Sequence, residues 1–152
     1  MSLRFALIVS RYHAFITERL EAGARAVLQE SGVREADIET FPVPGAFELA
    51  QAASVAAASG QWSAVVCLGC LIRGETPHFQ IIADATADGL IRAAQATGVP
   101  IAFGVLTTNT AEEALARAGE GAANKGREAA AAAVEMARLY ARLEPARPST
   151  PL

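Results

Sequence analysis

Residues 64–72 read Ala-Val-Val-Cys-Leu-Gly-Cys-Leu-Ile, without a single charge. A strand with one face in water alternates apolar and polar side chains. A run with no polar position belongs to a strand covered on both faces, the condition of the inner strands of a parallel sheet. Parallel neighbours in turn require crossover connections long enough to hold a helix. This one segment therefore commits the chain to strands that alternate with helices.

The remaining sequence supplies them. Arg4 to Ser10 is a second short apolar run and reads as a buried strand. Ile16, Leu20, Val27 and Leu28 recur at helical spacing, and Gly32 stands where that helix ends. Ile38 to Val43 is a weaker strand, stopped by Pro42 and Pro44, and Phe47 to Ser59 is helical by composition, closed by Gly60. After Ala64–Ile72 the Arg73-Gly74-Glu75-Thr76-Pro77 break leads into a helix marked by Ile81, Ile82, Ala85, Leu90 and Ala93, ending near Gly98. Val99 to Leu106 is the fourth strand, with Pro100 near its start, where a strand tolerates it. Thr110 and Glu113 form a capping box: the Thr hydroxyl accepts from the Glu113 amide and the Glu reaches back to the cap amide. A short helix follows through Ala118, then a Gly119-Glu120-Gly121 turn and a last alanine-rich helix from Lys125 to Leu143. Residues 1–143 are expected to form one domain and 144–152, with Pro145, Pro148 and Pro151, a disordered tail. The order β-α-β-α-β-α-β-α-α predicts an α/β three-layer sandwich. Its four-stranded parallel sheet is flanked by helices on both faces, in a flavodoxin-like arrangement.

Composition removes several functions. A chain of 152 residues with 52% hydrophobic residues can bury a core unaided. Its net charge is −3 and no basic stripe stands out, which argues against nucleic acid as a partner. No run approaches the roughly 18 apolar residues of a membrane span. No signal-peptide pattern follows Met1, so the expected location is cytoplasmic. Cys67-Leu68-Gly69-Cys70 spells C-x-x-C, but inside a strand positions i and i+3 point to opposite faces. Neither dithiol chemistry nor a zinc site follows from it. Gly119-Glu120-Gly121 begins like a dinucleotide fingerprint, yet it follows a helix and has Asn124 where a glycine belongs.

On an open parallel sheet the site lies at the carboxyl ends of the strands. In Arg73-Gly74-Glu75-Thr76-Pro77-His78 the glycine permits a tight turn, and Pro77 suits the first position of a helix. The amides of Glu75 and Thr76 then face outward at a helix start, a place for a phosphate. His78 falls in the same first turn, where the positive dipole end favours a neutral, proton-accepting imidazole. The bland alternative is an ordinary loop with a surface histidine. In Val43-Pro44-Gly45-Ala46-Phe47-Glu48, Ala46 and Phe47 offer helix-start amides. Glu48 either answers the helix dipole or accepts hydrogen bonds from substrate hydroxyls. Tyr12, in Arg11-Tyr12-His13, either walls a flat heterocycle or caps the core edge. Arg117 and Lys125 are by default solvated charges.

These segments, in this order, resemble the 6,7-dimethyl-8-ribityllumazine synthase family of riboflavin biosynthesis. The resemblance runs from Arg4 to about Arg142. It rests on Arg11-Tyr12, Val43 to Glu48, Leu68-Gly69, Ile72 to Thr76 and His78-Phe79. It continues through Thr97 to Pro100, Phe103 to Thr107, Arg117-Ala118-Gly119 and Asn124-Lys125-Gly126. The family joins 5-amino-6-(D-ribitylamino)uracil to 3,4-dihydroxy-2-butanone 4-phosphate, releasing phosphate and water with neither metal nor organic cofactor. The resemblance implies His78 as proton shuttle, and Glu75, Thr76 and Arg117 around the phosphate. Ala46, Phe47 and Glu48 would hold the ribityl chain and pyrimidine, and Tyr12 would stack on the ring. Cys70, Leu71 and Ile72 would contribute backbone contacts. Phe103, Arg117 and Lys125 would come from a neighbouring subunit of a homopentamer. Riboflavin synthase is the implied partner beyond the two small-molecule substrates.

Tyr12 stands where phenylalanine or tryptophan is expected, and His13 where asparagine is common, which makes His13 a candidate accessory group. Gln80 replaces a frequent acid two positions after the histidine. Two rival readings remain: a non-catalytic lumazine or riboflavin binder on the same scaffold, and an unrelated FMN protein of flavodoxin type. The start of the chain close to its first strand favours a free pentamer over a 60-subunit shell.

Overall fold

In the computed structural model, which describes residues 2–144, four strands form one all-parallel sheet. They are β1 (Phe5–Ser10), β2 (Ile38–Val43), β3 (Ala64–Ile72) and β4 (Ile101–Thr108), in the spatial order β2-β1-β3-β4. The helices are α1 (Ala14–Glu30), α2 (Leu49–Ala58), α3 (His78–Thr97), α4 (Ala111–Ala116) and α5 (Lys125–Leu143). Phe5, Leu7, Val9, Val66 and Leu68 pack on one face of the sheet with residues of α1, α4 and α5. Ala6, Ile8, Val65 and Cys67 pack on the other with residues of α2 and α3. Both faces of the two central strands are thus covered, which is why neither carries a charge. The tail reading falls, apart from Glu144, outside the described residues.

Small residues set the helix spacing. At the crossing of α1 and α5 a Cβ on Gly126 would run into the Leu20 carbonyl, so only glycine fits there. Alanines of α5 at 129, 130, 133 and 137 are buried against the sheet side.

Several boundaries differ from the sequence reading. β2 keeps the expected bounds, Ile38–Val43, but Pro42 does not stop it and pairs with Val9 inside the strand. It is an edge strand, where the missing amide hydrogen faces away from the sheet. β4 begins two residues later than expected and extends to Thr108, opposite Ile72, and the Pro100 carbonyl accepts from the Val65 amide at 2.9 Å. α2 starts at Leu49, preceded by a 3₁₀ turn, Ala46–Glu48. α4 stops at Ala116. A further 3₁₀ turn, Glu35–Asp37, went unread. It is held by the buried carboxylate of Asp37, 2.9 Å from Arg34 Nε and 3.8 Å from Arg4 Nε. In the capping box Thr110 Oγ1 accepts from the Glu113 amide at 3.1 Å, as expected. The Glu113 carboxylate accepts instead from Asn109, one residue before the cap amide, at 2.9 Å.

Candidate active site

From β1 the sheet grows outward to β2 on one side and to β3 on the other. The connections after β1 and β3 leave on opposite faces and open a crevice between them, the usual ligand position on such a sheet. Here it is a cavity of about 570 Å³. Tyr12 and His13 line it after β1, Gly45 to Glu48 after β2, Leu71 and Ile72 at the end of β3, and Gly74, Thr76, His78, Phe79 and Ile82 beyond it. That volume suits a small molecule.

After β1, the Arg11 amide donates to the Val43 carbonyl at 2.8 Å and carries the ladder one residue further. His13 then turns the chain in the left-handed region, φ 59° and ψ 49°. Histidine, like asparagine, enters that region more readily than most side chains. Its carbonyl accepts from the Ile16 and Thr17 amides, so the main chain starts α1 and the imidazole makes no cap bond. The ring lies edge-to-face with Tyr12, centroids 4.6 Å apart, and with Phe15 at 6.0 Å. Burial holds its pKa below the ordinary 6.5, so it is neutral at physiological pH. Tyr12 itself is 65% exposed at the cavity mouth.

After β2, the 3₁₀ turn buries Ala46 and leaves Phe47 exposed. Glu48 brings a carboxylate to the cavity wall. After β3, α3 begins at His78, with Pro77 as the cap residue. Pro77 therefore stands one position before the first helical turn. The unpartnered amides of the helix start are those of Phe79 and Gln80, not those of Glu75 and Thr76. The His78 amide faces Thr76 Oγ1 at 3.4 Å. Gln80 turns along the helix, donating to Asp84 Oδ1 at 2.9 Å.

Five residues singled out from sequence do not line this cavity. Cys70 sends its side chain to the α1 and α5 face, away from Cys67 on the α2 and α3 face. Burial pushes the Cys70 thiol up to about 11 and Cys67 further still, so both are inert. Glu75 lies outside the lining. Phe103 lines a separate groove of about 420 Å³ between α3 and α5. Arg117 ends α4 and donates to the Glu113 carbonyl at 3.1 Å. Lys125 pairs with Glu128 at 3.3 Å. Among the described residues no lysine or arginine lines the cavity; its charged side chain is Glu48.

The sequence profile of the 6,7-dimethyl-8-ribityllumazine synthase family matches residues 2–141. The chain belongs to the 6,7-dimethyl-8-ribityllumazine synthase family. A 6,7-dimethyl-8-ribityllumazine synthase of Chlorobium luteolum is 47% identical over 137 residues, 90% of this chain and 88% of the relative. For a lumazine synthase the three departures have structural readings. Tyr12 keeps an aromatic face at the cavity mouth. His13 occupies a left-handed position that asparagine also accepts. Gln80 is engaged with Asp84 and leaves the imidazole of His78 alone.

Sequence reasoning left Phe79 and Ile82 without roles, though both line the cavity. The signal was present: Ile82 is one helical turn beyond His78. A second groove, of about 510 Å³, lies between α1 and the turn before α5, beside Asn124. Asn124 is fully engaged there. Its Nδ2 donates to the carbonyls of Arg19, Ala118 and Gly119, and its Oδ1 accepts from the Arg127 amide. Among the described residues no helix is long and apolar enough to cross a membrane.

Proposed function

We propose that this cavity condenses 5-amino-6-(D-ribitylamino)uracil with 3,4-dihydroxy-2-butanone 4-phosphate to 6,7-dimethyl-8-ribityllumazine, phosphate and water, with His78 as the proton shuttle. The family carries the reaction. One observation supports the site: Tyr12, Glu48, Thr76 and His78 reach a single cavity from three different loops.

The family resemblance suggests the roles, and the cavity positions of Tyr12, Glu48, Thr76 and His78 support them. The pyrimidine stacks on Tyr12, and its polar edge meets the main chain of Cys70, Leu71 and Ile72. The ribityl chain runs along Ala46, Phe47 and Glu48, whose carboxylate accepts from its hydroxyls. The phosphate lies near Glu75, Thr76 and the amides opening α3. His78 moves the protons of imine formation, phosphate elimination and ring closure. His13, neutral beside the ring, is an accessory acceptor or donor. Amine and ketone already react with each other, so holding them together supplies much of the gain, and no cofactor is called for.

Among the described residues the cavity is lined by a carboxylate and by no cation, which makes it an incomplete phosphate site. Charge on the leaving phosphate needs a partner such as a guanidinium. Arg117, Lys125 and the half-exposed Phe103 lie elsewhere on the same subunit, which supports their reaching a neighbour's cavity. Exposed Val55, Ile81 and Ile91 on α2 and α3 are apolar surface that assembly would cover. The assembly we infer is a homopentamer, cytoplasmic, that passes its product to riboflavin synthase.

The test is lumazine formation, followed by absorbance and fluorescence, with the uncatalysed condensation subtracted. A rate well above background is the expected result. A rate equal to background, with riboflavin or the pyrimidine still bound, would replace the enzyme with a binding protein.

A further inference from the structure

α3 meets the loop after β2 along one stripe. His78, Ile82 and Thr86 stand at i, i+4 and i+8, so they share a helix face. His78 and Ile82 line the cavity. Thr86 lies one turn deeper and is 1% exposed. Its hydroxyl is 2.7 Å from the Ile82 carbonyl on its own helix and 3.3 Å from the Ala46 carbonyl across the seam. Further along, Gly89 lets α3 approach α2 so closely that a Cβ there would stand 2.7 Å from the Ala50 methyl.

The Ala46–Glu48 turn has little of its own to hold it. Gly45 offers no side-chain cap, and the closing bond from the Glu48 amide to the Gly45 carbonyl is 3.2 Å. The Ala46 carbonyl also accepts from the Leu49 amide at the start of α2, but among the described residues the bond from Thr86 is the one that ties this turn to an element distant in sequence. We propose that Thr86 is a positioning residue that fixes the Ala46–Glu48 wall at its working distance from the helix bearing His78. A single hydroxyl proton is shared by two carbonyls, and the longer arm, to Ala46, holds the wall. Thr86 does not touch substrate. It acts through the turn, so it governs how well the pyrimidine and ribityl chain are held rather than the proton transfer itself. This rests on the reading of the cavity as the pyrimidine site.

The test compares four variants. Thr86→Val keeps the branched shape and removes the hydroxyl, Thr86→Ala removes both, and Thr86→Ser keeps the hydroxyl. Thr97→Val makes the same chemical change at the far end of α3, where the Thr97 hydroxyl donates to the Ala93 carbonyl at 2.7 Å. The probe is 5-amino-6-(D-ribitylamino)uracil, read as KM in turnover and as Kd by calorimetry. Thr86→Val should raise both about two- to tenfold, the range one neutral hydrogen bond supports, with kcat changed less than about twofold. Thr86→Ser should match the wild type, and Thr97→Val should leave both constants in place. Wild-type constants in Thr86→Val would overturn the proposal. So would an equal rise in Thr97→Val, which would mark general loosening of α3. If Thr86→Val fails to fold, the Thr86→Ala and Thr86→Ser pair decides in the same way. A wild type that binds the pyrimidine without turnover fails the catalytic reading alone, and the Kd series still judges Thr86. A wild type that does not bind the pyrimidine overturns both.

Discussion

His13 shows how one residue serves both the backbone and the pocket. Its left-handed conformation starts α1 through the main chain and frees the ring for the cavity. Burial lowers its pKa below 6.5, so the folded chain resists a proton that the unfolded chain accepts. Stability is therefore unaffected by this group well above that pH. It falls as the pH drops through about 6.5 toward the folded value, because the unfolded state then binds more protons. Thermal melts from about pH 8 to pH 5 should show His13→Asn losing less Tm than the wild type on the acid side. Parallel curves would contradict this. Ser10, at the end of β1, has a buried Oγ without a hydrogen-bond partner among the described residues. A buried, unpaired polar group costs about 1–3 kcal/mol, so Ser10→Ala should be neutral or stabilising in urea unfolding. A loss of more than about 1 kcal/mol would mean the hydroxyl is engaged.

At the scale of elements, the turn before α5 is the most tightly specified joint. Asn124 caps α5 through Oδ1 and binds three carbonyls through Nδ2, and Gly126 lies against the backbone of α1. Asn124→Ala removes the cap and strands buried carbonyls, so urea unfolding should show a loss of at least about 2 kcal/mol. An unchanged midpoint would refute that role. The element order was legible because the strands are covered on both faces and several helix ends carry glycine, as at Gly98 with φ 68°. The boundaries were less legible where distant partners decide them. The Glu35–Asp37 turn is held by Arg4, far away in sequence, as well as by the adjacent Arg34, and Pro42 is tolerated because β2 is an edge. Most of the cavity lining was legible because carboxyl strand ends gather by topology. Thr86 was not, since a threonine in a helix carries no local mark of the carbonyl across the seam. Phe103 shares the sheet with the cavity loops yet lines another groove, a fact only the placement of α3 and α5 reveals.

For the whole molecule, the described residues of a single chain supply His78 and Glu48 to the cavity but no cation. If the missing charge is the neighbour's Arg117, two inactive variants should rescue each other. His78→Ala and Arg117→Ala, unfolded together and reassembled at equal amounts, should regain activity at about a quarter of their sites, as random mixing in a cyclic assembly requires. No recovery in confirmed mixed oligomers would place Arg117 in its own subunit's chemistry or outside it. The most direct test of the central claim is the rate of lumazine formation by His78→Ala against wild type, each corrected for the uncatalysed reaction. Loss of the shuttle should lower kcat about ten- to a hundredfold, the lower reach of acid–base catalysis, because approximation of the reactants persists. A folded His78→Ala protein with wild-type kcat would contradict the assignment of this cavity's chemistry to that imidazole.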